Sequence, residues 1–219
     1  MNTNPLAKRI VCYGDSYTWG YQPLTNHLRY DADTRWTGVL QTLLGNDYEI
    51  IEEGLNSRTL ISEDTRPDKQ GRDGALYLLP CLDTHDPIDL VILMLGTNEL
   101  KETYSKQAKE IADIIYENFI QVISSRKSQF ADKYPKVLVI APPIVNDKTE
   151  YAQKRLYNSD KSRGLVKELK SVCKASNIYF IDSNVFVKVG DDGVHFDDSS
   201  HKKLAEGIYN HINLNIFHK

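Results

Sequence analysis

What this chain of 219 residues has little of narrows its function first. It holds only three cysteines, Cys12, Cys81 and Cys173, set far apart in apolar segments. An odd, scattered set speaks against a disulfide framework or a zinc knuckle, and reads as buried small hydrophobes in a reducing compartment. A surplus of charge of one sign is lacking too, since 27 Lys+Arg against 30 Asp+Glu leave a formal charge of −3. The basic residues are scattered, so there is no electrostatic footprint for nucleic acid, and that partner is not expected. No apolar run approaches the roughly 18 residues of a membrane span. The longest covers residues 90–95, so no membrane partner is expected either. Residues 1–7 are polar and hold nothing like the apolar segment of a secretory signal, which points to a cytoplasmic protein. Internal repeats and low-complexity tracts are absent as well.

What is present is ordinary for a globular protein. Hydrophobic residues at 41% and charged residues at 26% suit a packed core and speak against disorder. A single core accommodates this length, so one domain over residues 1–219 is expected. Short, β-branched apolar runs at residues 9–13, 49–52, 90–95, 137–141 and 178–181 predict five strands. Their continuous apolar character is that of parallel strands covered on both faces. Helical patterns lie between and after them, at residues 35–44, 74–82, 105–126, 159–175 and 199–212. Strand-helix alternation of this kind builds a parallel sheet with right-handed crossovers. Two long segments stand out as loops. Residues 56–72 are rich in Arg, Asp, Ser, Thr and Gly, and residues 142–157 open on Pro142-Pro143. Loops of that length inside a compact domain are usually functional or disordered.

In an open parallel sheet ligands bind beyond the carboxyl ends of the strands. Four such exits carry small polar residues or an Asp/His cluster: Gly14-Asp15-Ser16, Gly54-Leu55-Asn56, Gly96-Thr97-Asn98 and the segment DDGVHFDDSSH over residues 191–201. A serine at a helix start is ordinarily a cap, but a nucleophilic serine needs a base within hydrogen-bond reach and a partner that orients the base. Asp192 and His195, three residues apart on a turn, can supply both to Ser16. A tetrahedral oxyanion needs preorganised donors. The candidates are the Ser16 N–H, the backbone at Gly54 and the Asn98 amide. Trp19 and Tyr21 follow the serine and are expected either to wall a substrate pocket or to be core. Asn56 and Arg58, at the start of the long loop, are further pocket candidates. Arg58 and Arg66 can instead pair with Asp64 and Asp68 on a solvated surface.

Two other readings compete. A hydroxyl-bearing loop after the first strand could cradle a phosphate in a flavodoxin-like binding module. The acidic segment, with Asp191, Asp192, Asp197, Asp198 and His201, could serve a metal-dependent hydrolase, although His201 reads as a surface residue on the following helix. The first reading leaves Asp192 and His195 without roles, and the second leaves Ser16 idle.

The order of the four blocks resembles the SGNH (GDSL) hydrolase family. YGDSYTWG matches its first block with Ser16, GLNSRT the second with Gly54, GTNEL the third with Asn98, and DDGVH the last with Asp192 and His195. GLNSRT and LDTHDPIDLVILMLGTNELK look most like its arylesterase and acyltransferase branch, which is also related to acetylxylan esterases. Glu99 stands where Asp is usual, Tyr17 where Leu is common, and Ser57 where that branch tends to have Gly. The reading that results is a three-layer α/β/α fold with a five-stranded parallel sheet in the flavodoxin-like order 2-1-3-4-5, carrying a Ser-His-Asp esterase. The resemblance implies short acyl groups on small esters, such as aryl or carbohydrate acetates, with no cofactor or metal. The loop over residues 56–72 is expected to cover the site or reach a second subunit, which leaves a homo-oligomer open.

Overall fold

The computed structural model describes residues 2–64 and 66–217. Five parallel strands form one sheet: β1 (Lys8–Gly14), β2 (Tyr48–Gly54), β3 (Leu90–Met94), β4 (Lys136–Ala141) and β5 (Tyr179–Asp182). Their order is β2-β1-β3-β4-β5, as expected. In β1 the alternation of side chains sends Val11 and Tyr13 to one face and Ile10 and Cys12 to the other. Both faces are apolar because both are covered, and Ile10, Val11, Cys12 and Tyr13 are fully buried.

Helices complete the two outer layers. On the Val11 face lie α3 (Gly74–His85), α4 (Ala108–Ile115), α5 (Gln121–Ser125) and α7 (Ser159–Ala175), contributing Leu78, Ile111, Ile123 and Leu165 among others. On the Ile10 face lie α2 (Trp36–Leu44) and α8 (Asp198–His211), with Trp36, Leu40, Leu204 and Ile208. Two short helices, α1 (Ser16–Trp19) and α6 (Glu150–Lys154), stand at the strand exits.

The helix starts follow local chemistry. Asp73 accepts from the N–H groups of Ala75 and Leu76 at α3, Asn158 from Lys161 at α7, and Asp197 from Ser200 at α8. Each satisfies donors that a helix start leaves free. The segment expected as one helix over residues 105–126 starts at Ala108 and passes through a π-helical turn at Tyr116–Ile120. All three cysteines are free and buried. His201, expected at the surface, is buried instead, because α8 packs against α2 there and its Nδ1 accepts the Trp36 N–H at 3.3 Å. No described helix is long and apolar enough to cross a membrane.

Candidate active site

Asp15 follows β1 and caps α1, its Oδ1 accepting from the Tyr17 N–H at 3.0 Å. That cap places Ser16 at the first position of α1, beyond the carboxyl edge of the sheet. Burial pushes the Asp15 carboxyl up to about 6, against the hydrogen bond from the Tyr17 N–H and the charges of Arg58 and Lys101.

After β5 the chain turns back over the same edge and brings His195 to Ser16. Asp192 Oδ1 accepts from the N–H groups of Val194 at 2.8 Å and His195 at 2.7 Å, which folds the segment into a tight turn. Asp192 Oδ2 lies 2.7 Å from His195 Nδ1, and His195 Nε2 lies 3.0 Å from Ser16 Oγ. An ionised carboxylate can only accept, so Nδ1 carries the proton and the Nε2 of a neutral ring accepts from the Ser16 hydroxyl. The turn is tied down from both sides. The Tyr17 hydroxyl donates to the Val194 carbonyl, and Thr149 Oγ1 donates to the Asp192 carbonyl at 2.6 Å.

The electrostatics suit a base at neutral pH. Burial works to raise Asp192, but the hydrogen bond and charge of His195 and two backbone N–H groups hold it below the usual carboxylate range. Burial lowers His195 from its ordinary value, opposed by Asp192 and assisted by the charges of Lys101 and Arg155. The imidazole is therefore neutral at pH 7 and free to accept a proton.

Asn98 follows β3 and is held from both ends of its amide. Its Nδ2 donates to the Arg58 carbonyl at 2.9 Å, and its Oδ1 accepts from Lys101 Nζ at 2.8 Å. One Nδ2 hydrogen remains, and Asn98 shares a narrow slot with Ser16 and His195. The slot has about 30 Å³ of room for water-sized molecules. Tyr21 and Asn56 line it, together with His27 and Ser57.

Three sequence expectations fail here. Gly54 is not placed to donate to an oxyanion at Ser16. The Leu55 N–H donates to the Gly14 carbonyl, so the Gly54 N–H, one residue earlier on an extended strand, points away from β1. Gly54 lies behind α1, where a Cβ would meet Trp19 N at 2.3 Å. Ser57 takes that place at the slot. Its φ of 64° is left-handed, it lines the slot together with Ser16, and neither its N–H nor that of Ser16 finds an acceptor among the described residues. Trp19 is not a slot residue either, because its ring faces outward under the Arg29 guanidinium, 5.0 Å away. Arg58 is buried away from the slot, donating to the carbonyls of Gly14 and Glu53 and stacking 4.1 Å over Tyr13. It braces the exits of β1 and β2.

Tyr151, Arg155 and Tyr157, which the sequence reading passed over, line the slot from α6 and the residues after it. Tyr151 and Arg155 are one helical turn apart, and that spacing on the polar stretch of residues 150–155 was the available signal.

The acidic segment is committed to other work. Asp192 holds His195, and Asp197 caps α8. One group of the described residues has metal-ligand chemistry: Glu53, Cys81 and His85, whose ligand atoms lie within 4.8 Å of one another. None of the three lines the slot, and His85 Nε2 already meets Glu53 Oε1 at 2.8 Å.

Known proteins share this fold. The aryl esterase of M. smegmatis has the same fold with a TM-score of 0.86 and 33% identity, over 94% of this chain and 99% of that one. Est24, a carbohydrate acetylesterase from Sinorhizobium meliloti, gives a TM-score of 0.85 and 32% identity, over 94% of this chain and 98% of that one. An acetylxylan esterase of Xylanibacter ruminicola is 24% identical over 92% of this chain, which spans only 42% of that relative's length. The family model of the GDSL-like lipases and acylhydrolases matches residues 12–203, and the chain belongs to that family.

Proposed function

We propose that the protein is a serine esterase that hydrolyses short acyl groups from small esters of the aryl or carbohydrate acetate kind. The observation that carries this reading is the unbroken relay from Ser16 Oγ through His195 to Asp192, with links of 3.0 and 2.7 Å, opening into the slot.

Ser16 Oγ attacks the ester carbonyl while His195 Nε2 takes its proton. Asp192 keeps the imidazole in the required tautomer and stabilises its charged form. The developing oxyanion is held by the free N–H groups of Ser16 and Ser57 and by the remaining Nδ2 hydrogen of Asn98. His195 then protonates the departing alcohol, and water attacks the acyl-enzyme by the same route in reverse. A second alcohol in place of water would give acyl transfer. The likeness to an aryl esterase and a carbohydrate acetylesterase supports the substrate class.

The test is initial-rate hydrolysis of 4-nitrophenyl acetate by the wild type and by the Ser16→Ala, His195→Ala and doubly substituted proteins. Each single change removes nearly all turnover, and the double change costs little more, because the pair acts as one unit. Hydrolysis that survives Ser16→Ala would sink the reading.

A further inference from the structure

The slot above Ser16 is lined by four cationic side chains, Arg66, Lys69, Lys101 and Arg155, and by no carboxylate among the described residues. This contrasts with the net charge of −3 on the chain as a whole. Two of the four are answered locally. Arg66 makes a two-pronged contact with Asp64, at 2.8 and 2.5 Å, and Lys69 lies 3.6 Å from the exposed carboxylate of Asp68.

The other two are not answered. Lys101 has only the neutral Asn98 Oδ1 as acceptor, and Arg155 has no hydrogen bond or ion pair among the described residues, lying 4.1 Å over the Tyr151 ring. Burial, and next the charge of Arg66, push the Lys101 ammonium down to about 8, against the opposing charges of Asp64 and Glu99. Arg66, Lys101 and Arg155 also line a wider cleft of about 400 Å³. They thus form the wall between a space fit for a small acyl group and one fit for the rest of a substrate. Lys154 lines that cleft too, but is paired with Glu150 at 2.6 Å.

A cationic surplus beside a reacting centre is costly unless something anionic occupies it, and a guanidinium matches a planar carboxylate in a two-pronged contact. We propose that the preferred substrate is a short-acyl ester whose alcohol portion bears a carboxylate, held by Arg155 and Lys101 at the junction of slot and cleft. This rests on the esterase reading above. It adds to that reading a charge on the substrate, and a reason for the two unanswered cations.

A matched pair tests it: 3-acetoxybenzoate and its methyl ester, which share acyl group and ring and differ in charge. Rates are normalised to hydroxide-catalysed hydrolysis of each compound. The expected normalised kcat/KM is at least tenfold higher for the anion, through KM, and 0.5 M KCl shrinks that ratio. Arg155→Gln and Lys69→Gln, assayed with both compounds, reduce the ratio several-fold and slightly, respectively. Binding of the two compounds to the Ser16→Ala protein, by calorimetry, reads the same preference without catalysis. Equal affinities there, or a ratio untouched by salt and by Arg155→Gln, would overturn the proposal while leaving the esterase reading intact. Failure of the wild type to hydrolyse either compound, with tight binding of the anion alone, would overturn the esterase reading instead.

Discussion

The strand exit at Gly54 offers a direct probe of how Ser16, the proposed nucleophile, is positioned. A Cβ at Gly54 would lie 2.3 Å from Trp19 N, 2.6 Å from the Thr18 carbonyl carbon and 2.7 Å from Trp19 Cα, all backbone atoms of α1. Ordinary contact begins near 3.4 Å, so Gly54→Ala forces the two segments apart by 3.4 − 2.3 = 1.1 Å. No flexible side chain lies in between to yield, and α1 is only four residues long, with Ser16 as its first. The displacement reaches Ser16 Oγ, whose 3.0 Å hydrogen bond to His195 cannot span it. Misplacement by about 1 Å costs on the order of 100-fold in rate, and overpacking of this kind costs about 1–3 kcal/mol in stability. The assay is kcat for 4-nitrophenyl acetate beside urea denaturation. Gly45→Ala is the control, since a Cβ there meets nothing within 4 Å although φ is +71°. The control should lose stability through backbone strain yet keep its kcat. A Gly54→Ala protein with near wild-type kcat would refute the claim that α1 is wedged between β2 and the reacting centre.

Asn98→Ala should lower kcat by about 10²- to 10³-fold with little change in KM, as expected for the loss of one oxyanion donor; a KM effect alone would make Asn98 a binding residue. Acyl length should matter in one direction: with about 30 Å³ of room in the slot, kcat/KM for 4-nitrophenyl esters falls from acetyl to octanoyl, and a steady climb would refute the short-acyl assignment. His201 gives a pH signature. Burial pushes it down to about 3, so between roughly pH 6.5 and 3 the unfolded chain takes up a proton that the folded one refuses, and stability is lost as pH falls. His201→Asn should flatten the urea-derived stability profile across that window by up to about 1.4 kcal/mol per pH unit relative to the wild type. An unchanged slope would mean that His201 takes up its proton in the folded state.

The strands were legible as short β-branched apolar runs alternating with helical patterns, while their order followed from the fold that the family resemblance implies and not from the runs themselves. Ser16 and Asn98 were legible as candidates because small polar residues stand shortly after β1 and β3, and Asp192 and His195 because a carboxylate and an imidazole lie three residues apart. Which residue of GLNSRT faces Ser16 was not legible. That depends on the pairing of β2 with β1, a long-range register that decides the direction of each N–H, and on the positive φ of Ser57. The directions of Trp19 and Arg58 were hidden for a related reason. A four-residue helix shows no periodicity, and the guanidinium found two carbonyls that exist only once the strands are aligned. Helix α6, which brings Tyr151 and Arg155, is five residues long and carries no apolar face by which to recognise it.

The hydrogen bond between Ser16 and His195 joins residues 179 apart in the chain, and the Tyr17 hydroxyl reaches 177 residues forward to Val194. Contacts of such separation are expensive to close and form only after most of the intervening chain is in place. A ribosome-bound chain can therefore complete β1, β2 and β3, and display Ser16 and Asn98, while still lacking its base. An exposed, unassisted serine is inert toward esters, so neither a nascent chain nor a fragment truncated before residue 195 can attack acetylated metabolites around it. On the proposed mechanism this architecture withholds its base until residues 192–195 have docked against α1, so turnover would serve as a readout of folded tertiary structure that spectroscopic helix content would not provide.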